Sequence, residues 1–195
     1  MEFEAIAEFY RTQIGIERES TVQLLAENTQ FRHRKRGEQL LTAGEKMTVI
    51  LFHLNGVGRA YVVDDEGHEV VMGFVRNPCG ALIGASGIQE HIIFNIEAVT
   101  EMDTLELPIP ILQYAIKQDP DCALIYHRVL MEDHDAKFEW QIARQTKKGK
   151  ARYLWFLETY ADIADLVTQK DIASFLGLQP PSLSRLKAEL ERENA

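Results

Sequence analysis

VTQKDIASFLGLQPPSLSRLK, residues 167 to 187, decides how this chain is read. Counted from Gln169, the residues Ile172, Ala173 and Leu176 fall on one helical face, Gly177 marks a break, and Leu178, Leu183 and Leu186 face back. That is the internal packing pattern of a helix-turn-helix. Ala173 is expected where the two helices approach most closely, and Gly177 is expected to take the positive φ that a three-residue turn requires. The Thr168 hydroxyl suits the first helix as a cap, and Asp171 suits the positive end of its dipole. Pro180 or Pro181 suits the first turn of the second helix, where no backbone N–H is needed.

In the second helix Leu183, Leu186 and Leu190 point inward at offsets of three and four, which leaves Ser182, Ser184, Arg185 and Lys187 outward. Arg185 matches a guanine edge or a phosphate, and the serines and Lys187 match the backbone of a duplex. The expected DNA contacts are Thr168, Gln169, Lys170, Gln179, Ser182, Ser184, Arg185 and Lys187. The same pattern also fits a helical hairpin with a solvated polar face.

A net charge of -9 over 195 residues looks wrong for a protein that lies on an anionic polymer. The acidity is local: residues 1–143 hold 12 Lys+Arg against 23 Asp+Glu, a net of -11, while 144–195 hold 9 against 7, a net of +2. Steering onto DNA depends on the potential of the docking face. A basic run, RQTKKGKAR at 144–152, leads into the helix-turn-helix. At 46% hydrophobic and 26% charged the chain has the composition of a globular protein. No N-terminal apolar run approaches transmembrane length, and Glu2, Glu4 and Glu8 have the wrong sign for a targeting peptide. A cytoplasmic protein without a membrane partner is expected.

Cys79 and Cys122 are too few for a disulfide framework and lack metal-ligand spacing, so both are expected reduced. The six histidines contain no H-x-H or H-E-x-x-H pair. Neither a cofactor nor a metal is called for, and a cupin-like metal enzyme is disfavoured.

Ahead of that region, Phe3, Ile6, Ala7, Tyr10 and Ile14 recur at helical spacing, and Val22, Leu24 and Leu25 continue a helical start. From Phe31 to Pro108 short β-rich runs alternate with turn residues, which predicts a sandwich, jelly roll or closed roll, with DDEG at 64–67 as a hairpin. IPILQYAIKQ reads as a short helix. Asp119 and Pro120 then open a long helix to about Gln145, roughly 39 Å at about 1.5 Å per residue. Tyr126, His127, Leu130, Met131, His134 and Phe138 fall on or beside one stripe of it. Packing against the roll would explain such a stripe, but the length favours a seam between two copies. The expected division is 1–118 for an effector domain, 119–145 for a dimerisation helix and 146–195 for the helix-turn-helix domain.

The order of these parts resembles the Crp/Fnr family of bacterial transcription regulators. The stretches that carry the resemblance are RKRGEQLLTAGE, LFHLNGVGRAYVVDDEGHEVV and RYLWFLETYADIADLVTQKDIASFLGLQPPSLSR, and with the long helix between them the order of parts resembles the family over nearly the whole chain. The resemblance implies an α+β fold: an N-terminal antiparallel β-roll, cyclic-nucleotide-binding-like, with flanking helices, then a long dimerisation helix and a C-terminal helix-turn-helix. It also implies a homodimer, duplex DNA and RNA polymerase as partners, and a ligand in the roll that reorients the reading helices.

The sequence departs from that pattern in specific places. Cyclic-nucleotide-binding members carry Gly-Glu for the ribose and Arg-Ser or Arg-Thr for the cyclic phosphate. Here Gly80-Ala81 and Ile92-Ile93-Phe94 stand instead, and a buried phosphate would lack its cation. The effector pocket is expected at Gly80, Ala81, Leu82, Ile93, Phe94 and Asn95, for a neutral or aromatic molecule rather than cyclic AMP. The other outcome is a filled cavity without ligand control. The N-terminal cysteine group of the oxygen-sensing members is missing, and Pro181 replaces a base-reading Glu. Ala195 follows soon after the reading helix, so most of the wing is expected to be absent. A homodimeric DNA-binding regulator leads; a sensing or protein-interaction module whose helix-turn-helix no longer binds DNA is the alternative.

Overall fold

The short apolar runs separated by glycine-bearing turns form eight strands in a computed structural model, which describes residues 1–76, 81–82 and 91–193. β1 (Gln30–Arg34), β2 (Gln39–Leu41), β3 (Val49–Asn55), β4 (Gly58–Val63), β5 (Glu69–Val75), β6 (Ala81–Leu82), β7 (Asn95–Ala98) and β8 (Met102–Pro108) are all antiparallel to their neighbours. They make two four-stranded sheets, ordered β1-β8-β3-β6 and β2-β7-β4-β5. An N-terminal antiparallel roll followed by a helical region is therefore the architecture.

Two turns show why the strands stop where they do. In the β4–β5 hairpin the Asp64 carboxylate accepts from Glu66 N at 3.0 Å and His68 N at 2.8 Å, and Gly67 takes φ 83°. After β3, Gly56 sits at φ 82°, and a Cβ there would lie 2.2 Å from the Glu101 carbonyl oxygen. The L-N-G at 54–56 is thus a requirement of close backbone approach.

Helices cover one sheet. α1 (Phe3–Glu8) runs on as a π-helical stretch, Phe9–Ile14, before α2 (Glu19–Asn28). Phe9, Tyr10 and Phe52 pack edge-to-face with centroids 5.4 to 5.9 Å apart. The buried Tyr10 hydroxyl is satisfied by Thr29 at 2.7 Å. α3 (Ile109–Gln118) buries Ile109, Leu112 and Ala115 on this core, at offsets of three.

α4 (Pro120–Thr146) has 27 residues, about 40 Å. Asp119 caps it by accepting from Asp121 N at 3.2 Å and takes the Thr21 hydroxyl at 2.7 Å, which ties the helix start to α2. Beyond it lie α5 (Gly149–Thr159), α6 (Gln169–Leu176) and α7 (Pro180–Glu193).

These last helices do not stand apart from the roll. One buried cluster joins Tyr153, Phe156, Ile163, Ile172, Phe175, Leu176 and Leu183 to Val57 and Val71, with Phe74 and Trp140 packed on it. The residues from 146 onward, expected as a separate domain, share a core with the outer strand of the roll.

Candidate nucleic-acid interface and effector cavity

The α6–α7 pair is built as its spacing requires. Thr168 Oγ accepts from Asp171 N at 3.1 Å, Ala173 is fully buried, and Gly177 takes φ 63°. Leu178 N donates to Ala173 O at 2.8 Å, which closes the turn, and α7 starts at Pro180. Leu183 is buried, and Leu186 and Leu190 are half-buried against the shared core. Thr168, Gln169, Lys170, Gln179, Ser184, Arg185 and Lys187 are exposed, and Ser182 is half-buried.

Three features of this face were not visible in the spacing. Arg185 Nε donates back to Pro181 O at 3.3 Å, so its fork rests along its own helix. Lys150 is held by Glu189 at 2.9 Å and Glu193 at 2.6 Å. Arg152 donates to Leu176 O at the end of α6 and to Lys147 O, and Arg144 lies over the Trp140 ring at 5.2 Å. Burial, with Arg144 nearby, lowers the Arg152 pKa. Part of the basic run that leads into the helix-turn-helix is therefore committed to internal contacts.

Asp171 has a second role. Its carboxylate meets Arg59 of β4 at 3.0 Å, and the same guanidinium holds Glu69 at 2.7 Å and Glu97 at 2.9 Å. Burial alone would lower the Arg59 pKa; its hydrogen bonds to Glu69 and Glu97 outweigh that and raise it. Ser174 Oγ accepts from Val71 N at 2.9 Å, so α6 continues the hydrogen bonding of β5. Arg76 pairs with Asp162 at 2.8 Å and covers the Tyr160 ring at 4.6 Å.

Phe175 is the centre of the joint. It is 1% exposed, with ring centroids at 5.1 Å from Phe74, 5.3 Å from Tyr160 and 5.6 Å from Trp140. Trp140 Nε1 donates to Phe175 O at 3.1 Å, which ties α4 to α6.

Beside this cluster lies a cavity of about 410 Å³, walled by β4, β5, β6, the start of β7 and the two residues before it, α4, Tyr160 just after α5, and α6. Of the expected effector residues, Ala81, Leu82, Ile93 and Phe94 line it. Gly80 and Cys79 lie outside the described residues. Asn95 is absent from the described wall: its side chain accepts from Ala43 N at 3.0 Å and donates to Tyr61 O at 3.5 Å, bracing the turn after β2 against β4. Sequence reasoning missed Gly73, Phe74, Trp140, Tyr160 and Phe175 on the wall.

Along α4 the exposed residues Leu124, His127, Met131, His134 and Phe138 recur at offsets of three and four. Leu130 is half-buried, and Tyr126 packs on the roll core. Tyr126 thus belongs to the packing side of the helix. Cys122 is buried, and burial followed by Asp119 pushes its thiol up to about 11. Among the described residues, no group of three or more His, Cys, Asp or Glu is placed to hold a metal, and no helix is long and apolar enough to cross a membrane.

No family model matches the sequence. Electron transport regulator A of Shewanella oneidensis is 23% identical over 171 residues, 81% of this chain and 67% of that protein. A Crp/Fnr-family transcriptional regulator from Eubacterium rectale superimposes with a TM-score of 0.74 at 20% identity, over 89% of this chain and 83% of that one. The c-di-GMP-responsive global regulator CLP of Xanthomonas campestris gives 0.73 at 12% identity, over 90% and 92%. A CRP-family transcriptional regulator from Thermus thermophilus gives 0.68 at 20%, over 84% and 85%. Over most of its length the chain therefore has its structural homologues among Crp/Fnr-family transcription regulators and shares their fold.

Proposed function

We propose that the chain is a homodimeric DNA-binding transcription regulator whose roll responds to a small effector other than cyclic AMP. The observation that carries this is the α6–α7 face, with leucines turned inward and Gln179, Ser184, Arg185 and Lys187 exposed at the start of the reading helix. A two-fold dimer through α4 would present two such helices to half-sites about 34 Å apart. The effector reading rests on the wall chemistry: Ala81, Ile93 and Phe94 stand where an acid for a ribose and a cation for a phosphate are expected, and the charged group on the described wall, Lys137 of α4, lies over the Phe94 ring at 5.6 Å. By likeness to its relatives the regulator works in the cytoplasm, beside RNA polymerase.

Fluorescence anisotropy on duplexes selected from the source genome tests the reading. Arg185→Ala is expected to cost about 1 to 3 kcal/mol and to relax base preference, while Lys187→Ala weakens all duplexes alike and flattens the salt slope by about one. Unchanged affinity and selectivity in both variants would remove the docking face.

One observation favours a second reading, a sensing or interaction module that has left DNA. Glu189, Glu191 and Glu193 share α7 with Arg185, Lys187 and Arg192, so the reading helix carries no net charge. Failure of the full chain to retain any duplex at low salt would favour it.

A further inference from the structure

The positive end of α5 carries charge of the wrong sign. Aspartate or glutamate suits the first turn of a helix, where backbone N–H groups lack partners and the dipole is positive. α5 starts instead from Lys148 as its N-cap, with no side-chain cap and no acidic residue in its first turn. Lys150 in that turn is neutralised by Glu189 and Glu193. Lys147 and Lys148 are exposed, and among the described residues neither has an ion-pair partner.

Two guanidiniums join them. Arg152 reaches back along the first turn to Lys147 O at 2.9 Å and across to Leu176 O at the end of α6. Arg144 lies against the next residue, Gly177, where a Cβ would stand 2.9 Å from Arg144 Nε. The two cations thus meet at one turn, and both are half-buried. Burial first, and Arg144 second, lower the Arg152 pKa. Carbonyl oxygens take some of the Arg152 donors, yet no carboxylate among the described residues neutralises either arginine, in a chain of net charge -9. Arg152 Nε is buried and has no hydrogen-bond partner. A buried donor in that condition is costly and marks a place where an acceptor belongs.

We propose that Arg144, Arg152, Lys147, Lys148 and the first amides of α5 form a seat for a phosphate group, carried by a small molecule or by a nucleic-acid backbone. The charge of a phosphate answers all four cations, whereas a neutral ligand would leave them unrelieved. Its oxygens accept from guanidinium forks and from main-chain N–H groups at a helix start together. None of the four cations lines the apolar cavity, so the seat is a separate site with the opposite ligand chemistry.

The test uses the full chain and inorganic pyrophosphate at constant ionic strength, with affinity read by calorimetry. Arg144 lies over the Trp140 ring at 5.2 Å, so binding is also expected to change tryptophan emission in wild type and not in Trp140→Phe. Arg144→Gln and Arg152→Gln are each expected to weaken binding at least tenfold, and Lys150→Gln, whose charge is already paired, less than twofold. Because Arg152 braces two helix ends, circular dichroism checks its variant. Lys147→Gln combined with Lys148→Gln changes only exposed side chains and is expected to lose at least fivefold.

A duplex retained at low salt separates the two sources. Its displacement by pyrophosphate from wild type, but not from Arg144→Gln, assigns the seat to backbone phosphate; undiminished duplex affinity assigns it to a free phosphate compound. Absence of saturable pyrophosphate binding, equal affinity in both arginine variants and wild type, or an equal loss in Lys150→Gln overturns the seat. Calorimetry decides this whether or not any duplex is retained, so failure of the regulator reading is told apart from failure of the site.

Discussion

Phe138 offers the sharpest test of how two copies meet. It is 54% exposed on the same stripe of α4 as Met131, 44% exposed, and Leu124, 69% exposed, an alternation of three and four that matches a 3.5-residue period. A phenylalanine presents about 200 Å² of surface, so roughly 110 Å² remains to be covered. At about 25 cal/mol per Å² that is about 2.7 kcal/mol per copy, an upper bound because a partner never covers everything. Phe138→Glu removes this contact from both sides and places two carboxylates near the two-fold axis. The dimer is expected to weaken about 100-fold, the factor that ~2.7 kcal/mol represents. Glutamate is a good helix former and the position is exposed in the protomer, so folding should change by less than about 0.5 kcal/mol. Sedimentation equilibrium reads the association constant, circular dichroism confirms that α4 persists, and DNA affinity falls with the loss of half-site avidity. A dimer as tight as wild type would refute the seam.

Two other outcomes follow from particular atoms. Gly56→Ala combines a positive φ with a Cβ 2.2 Å from a backbone oxygen, whereas Gly44→Ala has positive φ and nothing within 4 Å. Thermal melts should show a loss of about 2 to 3 kcal/mol for the first and about 1 for the second, and equal losses would discount the clash. His33 on β1 and Asp103 on β8 pair at 2.8 Å, which raises the histidine pKa and lowers the carboxylate's. The pair's contribution is therefore fully present below the unfolded histidine value of 6.5, fades as pH rises through the raised one, and is also lost in acid as Asp103 protonates. Denaturant midpoints of wild type and His33→Ala across pH should converge on the alkaline side; a constant gap would mean that the ring acts by packing alone.

What was legible in the residues was local. The cap at Thr168, the alanine at 173, the αL glycine at 177 and the proline start of α7 interact within about a dozen positions, so their spacing encodes their geometry. The Asp64 turn and the Asp119 cap were legible for the same reason. The π-helical stretch at Phe9–Ile14 was not, because six residues are too few to separate its period from 3.6. Tyr126 was placed on the seam because it adjoins the stripe, and only the roll decides that it turns inward.

The joint between roll and reading helices lay beyond such reasoning. Arg59 and Asp171 are 112 positions apart, and Val71 and Ser174 are 103 apart. The alternation in EVVMGFV says that Phe74 has a covered side but not that the cover is a helix from the other end of the chain. Asn95 looked like a pocket residue because it follows Ile93 and Phe94, yet its amide is occupied by the Ala43 N–H. Charge was equally ambiguous: the basic run is plain in the sequence, while the pairing of Lys150 with Glu189 and Glu193 depends on the crossing of α5 and α7. These unseen contacts converge on Phe175, which touches β5 through Phe74, α4 through Trp140 and the end of α5 through Tyr160. Close-packed rings do not slide past one another continuously. A change at the cavity wall must therefore either leave α6 where it is or repack it as a unit, and that all-or-none choice is what the proposed role would need from this joint.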